Sequence, residues 1–97
     1  MSELLTVIAR MRARNGQEAR LREELQRLVA PSRAEAGCLL YDLHESTTDP
    51  GSFVFYETWK SHEELDTHFQ RPHMLAILPL LPDLLDGPLE LTKWTKL

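Results

Sequence analysis

The sequence predicts an α+β protein of ferredoxin-like type, a βαββαβ chain with a four-stranded antiparallel sheet and its helices on one face. Three observations predict it. Two stretches carry helix-start signals ahead of apolar stripes, and each lies between strand-like runs. The second and third strand-like runs are separated only by a short loop dense in turn formers, which makes them a hairpin. No linker divides the two strand–helix–strand halves, so residues 1–97 read as a single domain, and right-handed crossovers put both helices on the same side of the sheet.

Taken in order, Leu4–Met11 alternates imperfectly and carries Leu5, Val7 and Ile8, which reads as a strand. Asn15 is the expected cap of the first helix, with Glu18 three residues on as in a capping box. Leu21, Leu25, Leu28 and Val29 then form one apolar stripe, while Glu18–Arg22 and Glu23–Arg27 are spaced as i,i+4 pairs on the wet side. Pro31 bends or ends that helix and Gly37 closes the connection. Cys38–Ser46 reads as the second strand, Thr47–Ser52 as the turn, and Phe53–Lys60, rich in aromatic and β-branched residues, as the third strand. Ser61 caps the second helix with Glu64 as reciprocal partner, and Leu65 and Phe69 lie one turn apart on its inner face. Pro72 suits the first turn of a new helical segment running through Met74, Ile77, Leu78 and Leu81, which Pro79 and Pro82 must kink or divide. Gly87-Pro88 breaks the chain before a last strand over Leu89–Lys96.

Charge narrows the function. A net charge of −4 argues against nucleic acid as a partner, because a binder of phosphates shows a basic stripe. The only cysteine, Cys38, excludes an intrachain disulfide and fits a reducing cytoplasm; its place before an apolar run suits a small buried hydrophobe. The opening MSELLTVIARMRAR lacks the charge and apolar pattern of a signal peptide. The most apolar stretch, around residues 74–85, is interrupted by Pro79, Pro82 and Asp83, so no membrane span is expected. A cytoplasmic location follows as the expectation. A chain this short buries only about 60–65% of its unfolded surface, and the fold leaves one sheet face bare, so a second copy is expected there.

The candidate chemistry gathers in ETWKSHEELDTHFQRPH, residues 57–73. Alternation puts Phe53, Phe55, Glu57 and Trp59 on the helix-facing side of the third strand. Glu57 is then a carboxyl between two aromatics, which pairs with an arginine, sits at an open sheet end, or serves a ligand pocket. Trp59 is large enough to wall such a pocket, and Tyr41 could offer it a phenolic hydroxyl. His62 is ordinary helix-start grammar, and His44 a half-exposed strand residue. His68 lies beside the buried stripe and His73 follows Pro72. No H-E-x-x-H or C-x-x-C is present, and five residues across a proline break are not expected to align two ligands, so no metal is expected. Two imidazoles near an aromatic pocket suit proton transfer. There is no G-x-G-x-x-G, no phosphate-binding P-loop and no nucleophile elbow, so no nucleotide or other cofactor is expected.

Three segments, LTVIARMRARNGQ, AGCLLYDLHES and FVFYETWKSHEELDTHFQRPHM, together resemble the antibiotic biosynthesis monooxygenase family, most closely its small quinol-monooxygenase-like members. The resemblance runs from Leu5 to about Ile77, and its most specific part is Glu57-x-Trp59 followed by His68 and His73. It implies a ferredoxin-like subunit that dimerises through its sheet face into an α+β barrel. It also implies oxygenation of a small phenol or quinol by O2 without metal or flavin, the substrate itself supplying the electrons. Haem degradation is not implied, because Ile8 or Ala9, His68 and Leu78 stand where haem-degrading relatives carry an asparagine, a tryptophan and a histidine. The expected site is therefore His68 or His73 as base, Glu57 as its orienting partner or a pocket acid, and Trp59, Tyr41, Phe55 and Phe69 as walls. The competing expectation is a dimeric module of the same fold that binds small molecules without catalysis.

Overall fold

In a computed structural model that describes residues 4–97, the sheet has the order β2-β3-β1-β4 with every neighbour antiparallel. The strands are β1 (Leu5–Arg12), β2 (Cys38–Glu45), β3 (Ser52–Trp59) and β4 (Glu90–Trp94). Between them run α1 (Glu18–Gln26), α2 (Val29–Arg33), α3 (His62–His68), α4 (Pro72–Ile77) and α5 (Leu81–Leu84), with a 3-10 turn at Leu78–Leu80. This is the expected ferredoxin-like arrangement. β1 and β3 take the centre, where both edges of each are paired, and β3 is rich in aromatic and β-branched residues.

Register decides which side chains can meet. β1 and β3 pair Val7 with Glu57 and Ala9 with Phe55, while β2 and β3 pair Tyr41 with Glu57. The inward row therefore carries Val7, Ala9, Tyr41, Phe55, Glu57 and Trp59, all buried against Leu21, Leu25 and Leu65 of the helices. A register shift between Cys38 and Leu40 leaves Leu39 exposed, yet keeps Tyr41 inward. The hairpin closes through Gly51, whose φ of 93° favours glycine and whose N–H donates to Glu45 Oε2 at 3.1 Å.

Several local expectations are corrected. Asn15 is not the cap of α1: the cap position falls on Gln17, without a side-chain bond, and Glu18 reaches back to accept from Gly16 N at 2.9 Å. Arg22 does not pair with Glu18 but grips Glu45 on β2 with two hydrogen bonds, 2.8 and 2.7 Å, whereas the Glu23–Arg27 pair forms as read. A bidentate carboxylate grip outcompetes an i,i+4 contact. The first helix divides before Pro31 rather than at it, because proline is at ease in the first turn of α2 and cannot serve in the middle of a long helix. Ser61 caps α3, accepting from Glu64 N at 3.2 Å, but Glu64 packs over Gly37. The last strand is shorter than read, Glu90–Trp94.

Candidate active site

The site is built where the C-terminal end of β3 meets the loop before β2. Glu35 follows α2 and is held by two backbone bonds, its own N–H to Ser32 O at 3.1 Å and its carbonyl to Cys38 N at 3.0 Å. Lys60 N to Gly37 O, 2.9 Å, ties the same loop to the end of β3. Its side chain is thus pushed inward, where Oε2 meets His68 Nδ1 at 2.7 Å and His73 Nε2 at 2.8 Å. His68 ends α3, a position where a polar ring is favoured by the helix carbonyls. His73 is delivered by Pro72, which restarts the chain as α4. Arg71 stands at 3.6 Å from the other oxygen, Oε1.

Aromatic rings fix the orientation of His68. Trp59 packs against it at a centroid distance of 4.5 Å, Tyr41 at 5.5 Å and Phe69 at 5.4 Å. With 1% exposure, the imidazole has no room to rotate away from Glu35. Burial draws its pKa below the ordinary histidine value, while the bond to Glu35 acts the other way. Glu35 thus engages Nδ1, which leaves Nε2 as the second nitrogen of a ring that lines the cavity.

Glu57 does not touch the histidines. Its Oε1 accepts from Trp59 Nε1 at 2.8 Å. Burial pushes its pKa up to about 7, against the tryptophan bond, with the nearby Glu35 adding to the rise. It holds a proton in the range where Tyr41, pushed up by burial and by Glu57, never loses one. Cys38 is likewise pushed up by burial, to about 11, and is no nucleophile at neutral pH.

Tyr41, Phe55, Glu57, His68 and Phe69 all line one cavity of about 30 Å³ between sheet and helices. Its remaining wall is aliphatic, supplied by β1, α1, the helical run from Met74 to Leu81, and Leu89 and Leu91. Trp59 lies behind His68 and His73 to its side, so neither is a wall. A space of that size holds roughly two waters and is smaller than an aromatic ring. A larger open hollow of about 510 Å³ lies on the other sheet face, lined by Arg10, Arg12, His44, Val54 and Glu90 among others. It gathers charges of both signs but no enclosed titratable group, whereas the smaller cavity is lined by the buried Glu57 and His68.

Glu35 was not foreseen from the sequence. It stands 33 residues from His68 and 38 from His73, in a short loop without periodicity. Contrary to the expectation from their spacing, the two histidines do align across the proline break, because both meet the same oxygen of Glu35.

The profile of the antibiotic biosynthesis monooxygenase family matches residues 4–79, and the chain belongs to that family. Rv0793 of Mycobacterium tuberculosis is 38% identical over 92 residues, covering 95% of this chain and 90% of that protein. "Probable quinol monooxygenase YgiN" of Escherichia coli is 34% identical over 83 residues, covering 75% and 80% of the two chains. A Synechocystis protein, sll1783, is 41% identical over 66 residues, 68% of this chain, and the chain spans less than half, 45%, of its length. The crystal structure of PA3566 from Pseudomonas aeruginosa superposes with a TM-score of 0.95 at 39% identity, over 100% of this chain and 97% of that one.

Proposed function

We propose that this chain is a cofactor-independent monooxygenase of small phenols or quinols, a single domain that works in the cytoplasm as a homodimer joined through its sheet faces. The observation that carries this is the buried Glu35–His68 pair opening, together with Glu57, on one apolar cavity. Membership of a monooxygenase family and the likeness to a protein named for quinol oxidation support it. His68 is the base, and Glu35 holds its ring in the tautomer that leaves Nε2 able to accept a proton. His73 shares that carboxyl from outside the cavity. Glu57, held by Trp59, is the pocket acid, and Tyr41, Phe55 and Phe69 contact the ring.

The chemistry balances without a carrier. His68 removes a phenolic proton, and the electron-rich anion forms a carbon–oxygen bond to O2. Loss of the ring hydrogen and cleavage of the O–O bond then give the oxygenated quinone. The distal oxygen leaves as water after taking a proton that Glu57 can supply. For a hydroquinone the sum is quinol plus O2 to hydroxyquinone plus water. All four electrons that reduce O2 come from the substrate: two from quinol to quinone and two from the ring C–H that becomes C–OH. An apolar pocket favours this by keeping bulk water from the anion and the peroxide.

The test is oxygen uptake with menadiol-type quinols, aerobic against anaerobic, for wild type, His68→Ala and Glu35→Gln. Wild type should consume O2 with formation of the oxygenated product. His68→Ala should lose about 10²-fold or more in kcat/KM, the usual worth of a general base. Equal quinol loss in wild type, variant and buffer would sink the reading.

A further inference from the structure

We propose that Glu35, His68 and His73 also form a binding site for one divalent transition-metal ion of the zinc class. Among the described residues, this is where a third ligand joins two others: the Glu35 oxygen, His68 Nδ1 and His73 Nε2 all lie within 4.8 Å of one another. Two neutral imidazoles and a single carboxylate are the donor set that borderline-soft ions such as Zn2+, Co2+ or Fe2+ prefer. They are a poor set for Mg2+ or Ca2+, which need mostly oxygen. Three protein ligands with one open position is the pattern of a reactive rather than a closed structural site.

The geometry is close to what an ion needs. At bonds of about 2.0–2.1 Å in a tetrahedral shell, neighbouring ligand atoms stand roughly 3.4 Å apart. Here the carboxyl oxygen stands 2.7 and 2.8 Å from the two nitrogens, so an ion requires an opening of about 0.6–0.7 Å on each side. His68 cannot supply that movement, being walled in by Trp59, Tyr41 and Phe69. The other two can: Glu35 sits in the connection between α2 and β2, and His73 is on the first turn of a six-residue helix with its ring 18% exposed. That partial exposure also gives the ion its way in and leaves the fourth position to water.

One charge opposes the ion. Arg71, at 3.6 Å from Glu35 Oε1, competes for the carboxylate, but it is 44% exposed and can turn to solvent. Removing it should therefore tighten binding. Cys38, next to the Glu35 loop, holds its proton and is not counted as a ligand. An ion on His68 Nδ1 moves the ring hydrogen to Nε2, the atom that acts as base in the proposed reaction. Metal binding and catalysis thus exclude each other. That consequence rests on the monooxygenase reading; the site itself does not.

The experiment is titration of the whole protein with Co2+, followed by its visible absorption, and with Zn2+, followed by calorimetry. Quinol turnover is measured in parallel. The expected result is one ion per chain, affinity lowered at least roughly tenfold in His73→Gln and Glu35→Gln, raised in Arg71→Gln, and unchanged in Cys38→Ser, His44→Ala and His62→Ala. Circular dichroism confirms that each variant is folded, and His73→Gln is chosen because its amide can still bond to Glu35. No stoichiometric binding up to millimolar ion overturns the site, as does binding that survives His73→Gln or is lost with Cys38, His44 or His62. Binding with the expected variant pattern but without turnover leaves the site standing and removes the catalytic reading.

Discussion

Glu57 is a carboxyl at 4% exposure whose one bond is to Trp59 Nε1. Its folded pKa of about 7 lies above that of an unfolded glutamate, near 4.5, so between those values the folded state holds the extra proton. The folded state binds more protons there, so stability falls as pH rises through that window, by up to a few kcal/mol in all. Glu57→Gln keeps the shape and removes the titration. Urea midpoints at pH 5 and pH 8 should then converge for the variant relative to wild type; identical pH slopes in the two proteins would refute the assignment. The tryptophan bond favours the charged form, so Trp59→Phe should move the Glu57 pKa further up, as read by NMR of the carboxyl carbon. A downward shift would mean that the tryptophan bond does not hold the charged form, or that water enters the space the smaller ring leaves.

At the scale of elements, the site depends on short pieces of chain rather than on long helices. Gly37 shows how tightly the Glu35 loop is held: a Cβ there would stand 2.5 Å from Glu64 Cβ, on the first turn of α3. Gly37→Ala should destabilise by about 1–3 kcal/mol, and Glu64→Ala should rescue it only in part, because it removes the clashing Cγ and Cδ but leaves Cβ. Additive effects, with no coupling in a thermal double-mutant cycle, would disprove the contact. Ser61→Ala should cost about 1 kcal/mol through loss of the α3 cap. Features of this kind divide what was legible in the sequence from what was not. The Ser61 cap, the Pro72 restart and the buried Phe53, Phe55, Glu57, Trp59 row are set by neighbours within a few residues, and all could be read. The Asn15 cap and the Glu18–Arg22 pair fail because Glu45, from β2, competes for Arg22 and Gln17 takes the cap position. His68 and His73 were legible as candidates. What joins them was not, since Glu35 reaches both only after the sheet has closed, and no local period marks it.

For the molecule as a whole, the outward sheet face is the unfinished part. Its rows run Leu40, Thr58, Thr6, Trp94, then Asp42, Tyr56, Ile8, Thr92, then His44, Val54, Arg10, Glu90, as the strand registers dictate. Tyr56 is 43% exposed and Trp94 54%, with Ile8, Leu40 and Val54 half-buried beside them. Four strands about 4.8 Å apart and roughly 26 Å long give a flat footprint of about 500 Å². A standard interface takes about 800 Å² per partner, so a dimer must use the whole face and the loops around it. The charges suit a two-fold axis, since Arg10 and Arg12 share this face with Asp42 and Glu90 and each sign can meet the other across it. Wild type should therefore sediment at twice 11.2 kDa at micromolar concentration, with a thermal midpoint that rises with concentration. Tyr56→Asp combined with Trp94→Asp should weaken association at least about 100-fold, as burying unpaired carboxylates at the centre of an interface costs several kcal/mol. The double variant keeps the inner face intact, so its monomer should retain the far-ultraviolet spectrum of wild type while melting at a lower, concentration-independent temperature. A wild-type monomer at 100-micromolar order, or a double variant that remains dimeric, would show that something other than a second copy covers this face.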